Sequence, residues 1–75
     1  MRALKLDRVR NEITRIRRDI RAQEREIRML RRAGILTASA ELLLSRMRAK
    51  LDDLTREREV LRNLFSAAAS VGTER

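Results

Sequence analysis

Arginine is the residue type through which this chain could do chemistry. Seventeen of the 75 residues are Arg and two are Lys, against eleven Asp and Glu, for a formal net charge of +8. The excess is uneven: residues 1–33 carry +7 and residues 34–75 only +1. A guanidinium stays protonated at any ordinary pH, so its chemistry is binding, through a planar fork of donors that matches phosphate or carboxylate oxygens. Arg8, Arg15, Arg18, Arg21, Arg25, Arg28 and Arg32 recur at spacings of three, four and seven. On a helix such spacings gather side chains on one side, and Asp7 is the only acid that falls among them. A basic face of this kind suits an anionic partner, DNA or structured RNA, which it would hold by neutralising phosphates and releasing counterions. The plainer alternative is a solvated helix surface in an Arg-favouring composition.

The remaining polar residues do not assemble into a catalyst. There is no His and no Cys, which removes the usual proton shuttle, the thiol nucleophile, disulfides and the common zinc sites. Asp52 and Asp53 are adjacent, and Glu24 with Glu26 and Glu57 with Glu59 are two apart, so on a helix none of these pairs faces itself. No phosphate-cradling glycine loop, HExxH pair or acidic calcium loop occurs. The expectation is a protein without enzymatic activity, cofactor or metal.

The elements that must position the arginines are helices. Leu6, Val9, Ile13, Ile16, Ile20, Gln23, Ile27 and Leu30 alternate by three and four, a heptad seam with Leu6, Ile13, Ile20 and Ile27 at a and the others at d. The seven arginines then occupy the outward positions b, c and f. Glu12, Asp19 and Glu26 fall at g, and Arg10, Arg17, Glu24 and Arg31 at e, where mixed charges can pair within or between helices. A second seam reads Ala40, Leu44, Met47, Leu51, Leu54, Arg58, Leu61, Phe65, Ala68. Leu43 and Leu64 at g, with Leu42 and Val60 further round, make its apolar face wider than a strict a/d stripe.

Between the seams lies Gly34, one of two glycines. A glycine just past a helix C-terminus takes the left-handed conformation at little cost, and Leu30 with Ile35 would then hold the positions that touch in a Schellman stop. Arg31 and Arg32 complement the carbonyl end of that helix, while Thr37 can cap the next by accepting a backbone N–H, with Glu41 in its first turn. The expected architecture is all-α, a single domain: an antiparallel hairpin with helix 1 over about 4–33, a turn over 34–37, helix 2 over about 38–70 and a frayed tail over 71–75. A three-residue offset between the seams leaves a rival, one unbroken helix with a stammer in a parallel coiled coil.

Two paired helices cannot cover so wide a face, so the hairpin is expected to dimerise into an antiparallel four-helix bundle. The candidate interface is Ile13, Ile20, Ile27, Leu43, Leu44, Met47, Leu51, Leu54, Leu61, Leu64 and Phe65. In the hairpin Ile27 comes level with Leu44, Ile20 with Leu51 and Leu6 with Phe65. Gln23 and Arg58 interrupt the seams as polar residues that set register, and Arg58 is expected to pair with Glu12.

The leading expectation for function is nucleic-acid binding through the outer face of helix 1. It would act by backbone or shape, because no aromatic lies there to stack a base and no short recognition helix is present. The architecture resembles the ROP-type RNA-binding bundle, without a shared motif. The alternative is a protein-interaction module working through Leu42, Leu43, Val60 and Leu64. Membrane binding is not expected, since no Trp or Phe anchors helix 1 and no apolar run exceeds three residues; a cytoplasmic location is. Finally, Ile27-Arg28-Met29-Leu30, Gly34, Thr37, Ala40, Leu43-Leu44, Met47 and Leu51 resemble a group of short bacterial helical-hairpin proteins of no established function. Those often carry His and Asp where this chain has Arg. The resemblance implies the hairpin alone.

Overall fold

The heptad spacing of the first half generates one continuous helix, α1, over Arg2–Arg32, and the second seam generates α2 over Ala38–Thr73. The computed structural model describes the backbone of residues 2–73 and the side chains of residues 4–67. Among these, no strand occurs. The two helices pack antiparallel into a rod of 65 × 15 × 15 Å.

The turn is a Schellman motif. The Gly34 N–H donates to the Arg31 carbonyl at 3.0 Å and the Ile35 N–H to the Leu30 carbonyl at 2.9 Å. Both bonds require a left-handed residue between them, and Gly34 supplies it with φ of 72°. These bonds close the last carbonyls of α1 and reverse the chain, which rules out the unbroken helix. α2 then opens at Thr37, whose carbonyl accepts the first helical bond, from the Glu41 N–H at 2.8 Å. The Thr37 side chain behaves differently from expectation. Its hydroxyl donates to Glu41 Oε2 at 2.9 Å instead of accepting a backbone N–H. An ionised carboxylate is the stronger hydrogen-bond partner, and Glu41 lies one turn along the helix within reach.

The distal boundary also moves. α2 runs through Thr73 instead of ending near residue 70. The run Ala67–Ala69 favours helix strongly enough to carry the chain past Gly72. The start of α1 at Arg2 is likewise earlier than the expected residue 4, although no acid in its first turn offsets the positive dipole end. Expected fraying at Met1, Glu74 and Arg75 lies outside the described residues.

The core is a single seam with two centres. Ile20, Ile27 and Leu44 enclose one, with Ile16, Ala40, Met47 and Leu51 packed against it. Val9, Ile13 and Leu54 form the other, with Ile16, Leu51 and Leu61 around them. The level of Ile27 with Leu44 and of Ile20 with Leu51 is therefore as the heptads place it. Leu6 is buried and Phe65 half-buried toward the open end. Among the described residues no side chain is less than 2% exposed. The hairpin has a seam but no sealed interior.

The two polar seam residues take distinct roles. Gln23 Nε2 donates to the Ala40 carbonyl of α2 at 3.3 Å, tying the helices near the turn. Arg58 does not pair with Glu12. Its Nη2 lies 3.8 Å from Glu59 Oε1, and its Nε is buried without a partner. Glu12 stands on the opposite edge of the seam, in a groove with Asp19 and Lys50. Heptad level predicts height along the rod but not the edge to which a long side chain turns.

Candidate functional site

At 3.6 residues per turn, the b, c and f positions of α1 face away from α2. The structure places Arg8, Arg15, Arg18, Arg21, Arg25, Arg28 and Arg32 there, every one of them exposed. None of the seven forms an ion pair with another described residue of the chain. The pairs that do form use other cations: Arg31 with Glu41, Arg48 with Glu24 at 3.0 Å, Arg56 with Asp53 at 3.8 Å, Arg62 with Glu59 at 3.0 Å, and the Arg58 contact above.

The seven are not one flat array. Arg18, Arg21, Arg25, Arg28 and Arg32 follow one another by three, four, three and four residues, a continuous outward stripe about 21 Å long. Arg8 and Arg15 lie round toward one edge of the hairpin, and Arg15 lines the groove there with Glu12, Ile16, Asp19, Lys50 and Leu54. Arg28 reaches the other edge, where an open groove of about 350 Å³ is lined by Glu24, Ile27, Arg31, Glu41, Leu44 and Arg48.

These two edges differ in chemistry. On the Arg28 edge the e positions of both helices interlock through the pairs Glu24–Arg48 and Arg31–Glu41. The Thr37 hydroxyl donates to the same Glu41, and this bond holds the Glu41 carboxyl below its ordinary value of 4.5 against the cost of lost hydration, with the charge of Arg31 acting in the same direction. No ion pair between described residues crosses the other edge. There Ile16, Gln23, Leu30, Ala40 and Met47 remain half-buried, and Leu43 and Leu64 are exposed.

This sorts the expected interface residues. Ile13, Ile20, Ile27, Leu44 and Leu54 are enclosed by the hairpin itself, at 3–8% exposure. Met47, Leu51, Leu61 and Phe65 are half-covered, and only Leu43 and Leu64 lie open. The cross-helix pairs at the e positions were not singled out as a group from the sequence. The signal was present, since Glu24 and Arg31 on one helix and Glu41 and Arg48 on the other each run acid then base seven residues apart, an order that antiparallel packing makes complementary.

No cluster of three or more His, Cys, Asp or Glu capable of holding a metal occurs among the described residues, and no described helix is long and apolar enough to cross a membrane. Comparison with protein-family models, with curated proteins and with solved structures gives no match.

Proposed function

We propose that this chain is a small, non-enzymatic helical-hairpin protein that acts as a dimer and binds DNA or structured RNA as an accessory factor, through the outer face of α1. The observation that carries the proposal is the division of the arginines. Arg31, Arg48, Arg56, Arg58 and Arg62 engage carboxylates of the chain, whereas the seven on the outer face of α1 all stay exposed and without a carboxylate among the described residues, as do the scattered Arg10, Arg17 and Arg46. A guanidinium that satisfies no internal partner is free to take a phosphate, and a row of them gains by counterion release. The face has no aromatic, so contact is with the backbone and not with splayed bases.

The test is fluorescence anisotropy with duplex DNA and hairpin RNA across a salt series. The control is a triple variant, Arg18→Glu, Arg25→Glu, Arg32→Glu. Micromolar or tighter binding near 150 mM salt that the variant loses is the expected result. Binding equally weak in both proteins, gone well below that salt, would make the arginines a solvated surface.

A second proposal has its own observation. Leu42, Leu43, Val60 and Leu64 are 45–58% exposed, more apolar surface than a lone hairpin of this size needs. In that case α2 docks onto another protein as an adaptor or small subunit. The chain alone would then be aggregated or partly helical, in place of a well-defined high-melting dimer.

A further inference from the structure

The g positions of α2 are Leu43, Lys50, Glu57 and Leu64, seven residues apart and running apolar, basic, acidic, apolar. That order is its own complement when reversed. We propose that the open edge of the hairpin, the one without cross-helix ion pairs, is the interface to a second copy of this chain. The two copies pack with their turns at opposite ends. The twofold axis crosses α2 midway between Lys50 and Glu57. Leu43 of each copy then meets Leu64 of the other, and each Lys50 meets a Glu57. The arrangement rests on the dimeric part of the proposed function and is independent of nucleic-acid binding.

Three observations on the hairpin support this occupant. Leu43 and Leu64 are 45% and 55% exposed, and neither Lys50 nor Glu57 has an ion-pair partner among the described residues. The rod exposes 6173 Å², whereas a compact monomer of 8.8 kDa exposes about 4,800 Å². The excess of about 1,400 Å² per chain is of the order that an obligate dimer buries. The charges near the axis also agree. Asp53, the acid closest to it, already holds Arg56 at 3.8 Å, and on α1 Arg15 sits between Glu12 and Asp19 in the groove shared with Lys50. Packing the copies with both turns at one end would instead set Leu43 beside Glu26, Lys50 beside Asp19 and Glu57 beside Glu12. The opposed arrangement satisfies the whole g row of α2 and leaves Glu12, Asp19 and Glu26 of α1 beside their own copies, with Arg15 of each chain among them. In the opposed arrangement α1 lies beside α1, so both arginine faces fall on one side of the bundle.

The chain has no cysteine, which makes single-site spin labelling direct. A label at Leu36→Cys, 93% exposed at the turn, reports the arrangement by pulsed dipolar spectroscopy. Opposed turns give a separation of about 50 Å along the rod, from about 17 residues on either side of the axis at 1.5 Å each. Turns at one end give about 20–30 Å, the spacing of neighbouring helices plus the label arms. Sedimentation equilibrium supplies the second readout. Lys50→Glu and Glu57→Lys should each weaken the dimer by about tenfold, and the double swap should recover it, because the pairing of 50 with 57 across the axis is again between opposite charges. Leu43→Glu should dissociate the dimer, while its neighbour Leu42→Glu, pointing away from the edge, should not. A wild-type mass of 8.8 kDa overturns the dimer altogether. A dimer with the short label distance, or one that the double swap fails to restore, overturns this interface and leaves dimerisation standing.

Discussion

Gly34 combines a φ of 72° with open space, since a Cβ added there would meet nothing within 4 Å. The penalty of Gly34→Ala is thus purely that of the left-handed backbone, about 1 kcal/mol, and Gly34→Asn should cost less; urea unfolding at fixed concentration separates the two. Glu41 is the residue whose charge state matters. Its folded pKa is lowered by the Thr37 hydroxyl and by Arg31, so its contribution is complete above the unfolded value of 4.5 and disappears as pH falls through the lower folded value. Wild type should accordingly lose stability over that acid range by more than Glu41→Gln does, and parallel curves for the two would remove Glu41 from the account. Arg58 is the opposite case, a seam cation whose Nε is buried and unpaired. Replacing it with Met removes that burden and keeps the length of the stem, so Arg58→Met should raise stability by about 1 kcal/mol. A loss of that size would mean that the guanidinium has a partner in the dimer.

At the scale of the helices, what was legible in the sequence followed from steric rules with few exceptions. Gly34 announced the turn because no other residue adopts its φ cheaply, and the three-four spacing announced both helices and their level. Less legible was anything decided by a rotor or a long side chain. The Thr37 hydroxyl can donate or accept, and the approach of Arg31 to Glu41 across the turn depends on tertiary placement. The arm of Arg58 could turn to either edge of the seam. The outward face of α1 was fully legible, because position on a helix determines exposure there. The d positions of α1 also divide in a way that no heptad reveals: Val9 is buried like Ile13, which is 3% exposed, while Ile16 is half-buried at the open edge. Ile13→Ala should therefore cost about 3 kcal/mol by creating a cavity in the seam. Ile16→Ala should cost less stability than Ile13→Ala, since Ile16 is only partly enclosed by the two core centres it packs against, and should also weaken the proposed dimer, which sedimentation resolves from stability.

For the molecule as a whole, a 65 Å rod with no sealed interior would, in the proposed dimer, have its folding tied to assembly. Its melting temperature should rise with protein concentration, since a partner that binds only the folded state stabilises it by mass action. The same geometry sets the number of phosphates a duplex can meet. The stripe from Arg18 to Arg32 offers five guanidinium groups to one duplex face. Each phosphate neutralised contributes about −0.9 to the slope of log K against log salt, so one face gives about −4.5 on B-DNA. Two faces on the same side of an opposed bundle, both engaged by one duplex, give about −9. The triple reversal at Arg18, Arg25 and Arg32 leaves two cations beside three new carboxylates, so the stripe repels a duplex and the salt-dependent binding is lost. A wild-type slope near −9 that halves in a dimer-breaking variant such as Leu43→Glu would join the two proposals, because only assembly brings the second stripe to the same duplex. A slope near −4.5 unchanged by that variant would assign binding to one hairpin at a time.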